Sequence, residues 1–146
     1  MAGKTKVEEK HMTKIQNNKT VLLVEDSTTQ AMHFQMLLEE QGVHVEWAST
    51  GEAGVQMAQK VRPDLILLDV QMPDMNGFQV CRELKNVPGT SGIPIIMLTR
   101  HDETESVVLG MEMGVTDYIP KDAFADAVLV ETLRQMGLIA PHTANA

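Results

Sequence analysis

Three short apolar runs, Val21-Leu22-Leu23-Val24, Leu65-Ile66-Leu67-Leu68 and Ile95-Ile96-Met97-Leu98, each stop at a polar side chain. Glu25 and Asp26 follow the first, Asp69 the second and Thr99 the third; a weaker run, Tyr118-Ile119-Pro120, is followed by Lys121. Runs this short, bounded by turn or helix signals, read as strands buried on both faces. In open α/β sheets the ligand crevice lies beyond the carboxyl ends of the strands. Three carboxylates, a hydroxyl and an ammonium are therefore expected on one sheet edge. That set suits a divalent metal and a phosphoryl group.

The rest of the chain alternates with these runs. Residues 1–18 are polar and aperiodic and read as a mobile tail, with His11-Met12 resembling a cloning junction. Ser27 with Gln30 reads as a capping box opening a first helix, whose apolar stripe is Ala31, Phe34, Leu37 and Leu38 and whose end is Gly42. Val43 to Trp47 alternates like an edge strand. Ser49 and Glu52 are expected to cap a second helix running to about Lys60. After Asp69 comes a loop rich in turn residues, then a third helix with Phe78, Cys81 and Leu84 on its buried side. Asp102 and Glu105 are expected to cap a fourth helix ended by Gly114. Val115 to Ile119 reads as a fifth strand, and Asp122 is expected to start a final helix reaching about Met136.

Five β-α pairs in strict alternation favour a parallel sheet wrapped by helices. The strongly apolar runs belong in the centre and the weaker ones at the edges. The flavodoxin-like (βα)5 order 2-1-3-4-5 meets that demand, with its switch point between the strands that carry Asp26 and Asp69. The domain is expected over residues 19–137, with 138–146 as a short tail.

Composition narrows the function. The net charge of −8 argues against direct nucleic-acid binding, which calls for a basic face. Cys81 is the only cysteine, so an intramolecular disulfide is ruled out and a reducing compartment is the natural setting. No apolar stretch approaches the ~20 residues of a spanning helix, and no signal-peptide pattern opens the chain, so a cytoplasmic protein without membrane contact is expected. Aromatics make up only 3% of the residues, and the eleven methionines are expected mainly as core filler.

Two carboxylates about 5 Å apart repel by roughly 3 kcal/mol at an effective dielectric of 20, so an acid cluster calls for a cation. Mg²⁺ takes hard oxygen ligands and bridges to phosphate oxygens, while Lys121 supplies a second positive charge. A carboxylate held between metal and lysine can attack phosphorus to give an aspartyl phosphate. A single acid after a strand is usually a loop residue or a cap. Five suitable residues at compatible strand ends are harder to explain that way.

Four motifs in order carry a resemblance: Val24-Glu25-Asp26-Ser27, Leu67-Leu68-Asp69-Val70-Gln71-Met72-Pro73-Asp74-Met75-Asn76-Gly77, Met97-Leu98-Thr99 and Asp117-Tyr118-Ile119-Pro120-Lys121. From Thr20 to about Met136 the chain resembles the CheY-like receiver domains of two-component response regulators. The resemblance implies that Asp69 accepts phosphoryl from a sensor histidine kinase or a histidine phosphotransfer protein. It implies that Asp26, Asp69 and the Gln71 backbone carbonyl ligate Mg²⁺, with Glu25 acting through water. Lys121 and Thr99 would bind phosphoryl oxygens, and Tyr118 would turn inward when Thr99 moves. The face of helix four, strand five and the final helix would then change its preference for an unknown output partner. The resemblance also allows a phosphorylation-linked homodimer.

In this family the lysine is commonly followed by proline; here Asp122 follows, so a trans bond is expected. Arg100 stands where a small residue is usual, next to Thr99, and could shield a phosphoryl group or point into solvent. Catalysis is expected only of the domain's own phosphorylation and dephosphorylation, not of a separate substrate. Two other readings compete: a pseudo-receiver that docks constitutively, opposed by the intact acids, Thr99 and Lys121, and an aspartate-nucleophile phosphatase. The phosphatase would want an acid where Gln71 stands. The domain is expected either to stand alone or to be part of a hybrid kinase.

Overall fold

A computed structural model describes residues 18–99, 108 and 111–141. The three apolar runs become β1 (Thr20–Val24), β3 (Leu65–Asp69) and β4 (Ile95–Thr99). β3 and β4 are buried at every position and β1 at all but its first. A strand covered on both faces has no solvent side, which is why these segments carry no polar alternation. β2 (His44–Ala48) and β5 (Asp117–Pro120) have mixed burial and take the two edges. The order is β2-β1-β3-β4-β5 with every pairing parallel, the flavodoxin-like arrangement expected. Val24 lies opposite Leu68, Asp69 opposite Leu98 and Thr99 opposite Pro120. That register brings the residues ending or following β1, β3, β4 and β5 to one edge.

Four helices lie wholly within the described residues: α1 (Thr28–Glu40), α2 (Gly51–Val61), α3 (Gly77–Lys85) and α4 (Ala125–Gln135). Strand alternation sends Val21, Leu23, Leu65, Leu67, Ile96 and Leu98 to one face, where α1 and α4 cover them with Phe34, Leu38, Leu129 and Leu133. Leu22, Val24, Ile66, Leu68, Ile95 and Met97 face the other way, against Ala58 of α2 and Val80, Cys81 and Leu84 of α3. Most of the expected fourth helix, with Arg100, Asp102 and Glu105, falls outside the described residues. Met111 and Glu112 are helical, and Gly114 follows at φ +89, in the left-handed region that glycine adopts without strain.

Several local expectations shift. The N-cap of α2 is Thr50, not Ser49: its hydroxyl accepts from the Ala53 N–H at 3.1 Å. The final helix starts at Ala125 rather than Asp122, because the Asp122 carboxylate accepts the Phe124 N–H and its carbonyl accepts the Ala125 N–H in a preceding turn. β5 begins at Asp117, two residues later than expected. Packing also continues past residue 137. Gly137 has φ +78, the Leu138 N–H returns to the Leu133 carbonyl, and Leu138 and Ile139 are buried against the α1/α4 layer. Most of the described methionines do serve the core: Met97 is fully buried and Met57, Met72, Met75, Met113 and Met136 pack against it, while Met32, Met36 and Met111 are exposed. Among the described residues no helix is long and apolar enough to cross a membrane.

Candidate functional site

The β1 ladder runs one residue past the strand, with the Glu25 N–H donating to the Ala48 carbonyl at 3.1 Å. The Trp47 indole N–H donates to the Glu25 carbonyl at 2.7 Å, so the edge strand β2 fixes the main chain between the two acids. Glu25 is 1% exposed. Its Oε2 accepts the Ser27 N–H at 3.2 Å, and its Oε1 lies 3.4 Å from the Lys121 ammonium. Asp69 is 5% exposed; its Oδ1 accepts the Gln71 N–H at 3.2 Å and lies 3.1 Å from Lys121 Nζ. Asp26 is exposed beside them. One carboxylate oxygen from each of Glu25, Asp26 and Asp69 lies within 4.8 Å of the others.

Such crowding has an electrostatic consequence. Burial, and then the Asp69 carboxylate, push the Glu25 carboxyl up to about 7, against the pull of Lys121 and the Ser27 N–H. The three acids, Gln71, Thr99 and Lys121 line one cavity of about 370 Å³. The three carboxylates are hard oxygen donors, the chemistry that Mg²⁺ selects, and Gln71 lines the same cavity. The residues present fit that ion. Thr99 is buried at 2% exposure. No cis peptide occurs among the described residues, so Lys121-Asp122 is trans as expected.

The structure thus brings together Glu25, Asp26, Asp69, Gln71, Thr99 and Lys121. Tyr118 stands apart from the cavity: it is half-buried, opposite Met97 in the β4–β5 register, and packs on the layer beneath α2 and α3. Arg100 lies outside the described residues.

Three participants escaped the sequence reading. The first is Gln30, whose side-chain carbonyl accepts from Lys121 Nζ at 2.8 Å, a partner 91 residues away. The second is Trp47. The third is Asp74, whose carboxylate accepts the N–H groups of Gly51 and Glu52 at 3.0 and 3.1 Å. These bonds hold its carboxyl below the usual range and tie the loop after β3 to the start of α2. Gly77 closes the same loop. A Cβ there would lie 2.8 Å from the Asp69 carbonyl oxygen and 2.9 Å from Val70 Cα, both backbone atoms that cannot swing aside.

Residues 21–134 match the response regulator receiver domain family. The chain belongs to that family. The receiver domain is 37% identical over 109 residues to protein PilH of Pseudomonas aeruginosa, a match covering 75% of this chain and 90% of PilH. It is 39% identical over 102 residues to the transcriptional regulatory protein AfsQ1 of Streptomyces coelicolor, covering 70% of this chain. The match takes in only 44% of AfsQ1, so the chain spans less than half of that relative's length. Among solved structures, it resembles the receiver domain of sensor histidine kinase PA1611 from Pseudomonas aeruginosa PAO1, with a TM-score of 0.73 and 28% identity. That likeness covers 80% of this chain and 95% of the other, which was solved with a magnesium ion coordinated in its active-site cleft. A CheY-like receiver of two-component signalling therefore accounts for both the fold and the motifs.

Proposed function

We propose that this receiver domain takes a phosphoryl group onto Asp69 from a histidine kinase or histidine phosphotransfer protein, with Mg²⁺, in the cytoplasm. The supporting observation is the Lys121 ammonium 3.1 Å from Asp69 Oδ1 within the cluster of three acids. A carboxylate oxygen of Asp69 attacks phosphorus; the P–N bond of the phosphohistidine breaks as the new P–O bond forms, and the imidazole leaves with the bonding pair. Lys121 and the Gln71 N–H hold Oδ1, so the carboxylate plane is set before phosphoryl arrives. Asp26, Asp69 and the Gln71 carbonyl would hold Mg²⁺, with Glu25 behind them. When bound, the ion offsets the charge that builds on the phosphoryl oxygens. Lys121 then contacts one of those oxygens and the Thr99 hydroxyl another.

Movement of Thr99 would shift β4 against Tyr118 and so alter the outer face of β5 and α4 for an output partner. Couplings of this kind are typically about 1–3 kcal/mol, enough to redistribute populations. The domain catalyses only its own phosphorylation and dephosphorylation. Incubation with acetyl phosphate and Mg²⁺, followed by intact-mass analysis, tests the reading. Wild type should gain one phosphoryl group and Asp69→Asn none; equal labelling of the two would remove the nucleophile.

A further inference from the structure

Resting on that reading, we propose that Gln30 is a positioning residue for Lys121 and thereby sets the rate at which Asp69 is phosphorylated. The Lys121 ammonium carries three protons and meets three oxygens: Gln30 Oε1 at 2.8 Å, Asp69 Oδ1 at 3.1 Å and Glu25 Oε1 at 3.4 Å. The shortest contact is to the neutral amide. A lysine is a point charge on a flexible stem, and two carboxylates attract it without fixing its direction. The amide oxygen supplies that direction from the side, on the first turn of α1.

Gln30 is free for this task because Glu25 has taken its usual one. In a capping box the side chain at the third helical position accepts the N–H of the N-cap residue. Here the Ser27 N–H goes to Glu25 Oε2 at 3.2 Å, while Ser27 Oγ still accepts the Gln30 N–H at 3.3 Å. The backbone of Gln30 is thus capped in place and its side chain turns to Lys121. When phosphoryl reaches Asp69, Lys121 exchanges the Asp69 oxygen for a phosphoryl oxygen. The Gln30 and Glu25 contacts keep the ammonium over the reacting atoms during that exchange, so less freedom is lost at the transition state.

Gln30 is exposed, so Gln30→Met keeps the stem and the helix and deletes only the acceptor. With acetyl phosphate as donor, the phosphorylation rate at saturating donor should fall about fivefold, the scale of one hydrogen bond. The half-saturating donor and Mg²⁺ concentrations should stay unchanged. In a Lys121→Ala background, followed over longer times, adding Gln30→Met should have no further effect. A labelled wild type with Gln30→Met at the wild-type rate would overturn this inference alone. A full slowing that persists without Lys121 would also overturn it, by showing that Gln30 acts elsewhere. A wild type that takes no phosphoryl would overturn the functional reading, and this inference with it.

Discussion

The two apolar layers that sandwich the sheet are made of different materials. Beneath α1 and α4 the buried residues are Leu, Ile, Val, Ala and Phe34, and Met136 is the one described methionine packed against them. Beneath α2 and α3, Met97 is buried and Met57, Met72, Met75 and Met113 pack at the margin, beside Cys81 and Tyr118. Branched aliphatics interdigitate in few rotamers, whereas unbranched thioethers refill a space whose shape has changed. Lys121 is tethered to the stiff side through Gln30 of α1. Thr99 alternates on β4 with Leu98 and so shares a face with Met97, on the yielding side. The residues that should hold still are braced by the firm layer, and those that should move abut the soft one.

The largest expected effect tests the layers directly. Leu129→Ala, in the stiff layer, should cost about 2–5 kcal/mol in urea unfolding. Met75→Ala, half-buried at the edge of the soft layer, should cost no more than about 1 kcal/mol. Equal losses would mean that Met75 is packed as firmly as a fully buried leucine of the other layer.

A second, smaller effect comes from Glu25. Its carboxyl is raised in the folded state from 4.5 to about 7, so between those values the folded chain binds more protons than the unfolded one. The stability this contributes is fully present below the unfolded value and is lost as pH rises through the folded one. Without divalent metal, wild type should lose on the order of 1–3 kcal/mol between about pH 5 and about pH 8 in denaturation experiments. Glu25→Gln should flatten that slope. Mg²⁺ should stabilise wild type most at the high-pH end, where the ionised acids can ligate it. A slope as steep in Glu25→Gln would place its origin elsewhere in the molecule.

The smallest effect concerns how the soft layer is tied down. Asp74→Ala removes the acceptor for two N–H groups at the start of α2 and should cost about 1 kcal/mol at neutral pH. The carboxyl of Asp74 is depressed in the folded state, so its contribution is present above the ordinary value of 3.8 and fades as pH falls through the lower folded one. The gap between wild type and variant should therefore close in acid. A gap that stayed constant with pH would assign the loss to packing rather than to the carboxylate.

The central strands and their order were legible because a doubly covered strand leaves a continuous apolar run, and three such runs admit few sheet orders. The acids and Thr99 were legible because they follow those runs, and Lys121 because it follows the weaker run of the edge strand β5. Contacts across long stretches of chain were not. Gln30 has the local signature of a capping box, and only the folded chain shows Glu25 taking the cap and Lys121 taking the amide. Ser49 and Thr50 are adjacent hydroxyls with equal claim to a cap, and the choice between them rests on backbone geometry: Thr50 is extended at φ −136, ψ 160. Composition indicated that most methionines serve the core, but only the fold shows that five of them gather beneath α2 and α3.

The bond from the Trp47 indole to the Glu25 carbonyl has an optical consequence. The chain holds one tryptophan and one tyrosine, so near-ultraviolet emission excited at the red edge comes from a single, known position. That fluorophore is wired to the main chain of the acid pair, one bond away from the carboxylates' own backbone. Any event that tugs on the Glu25 peptide alters the polarity around the excited indole and hence the colour of its light. The domain carries its own lamp beside its chemistry, and needs no dye to be watched in real time.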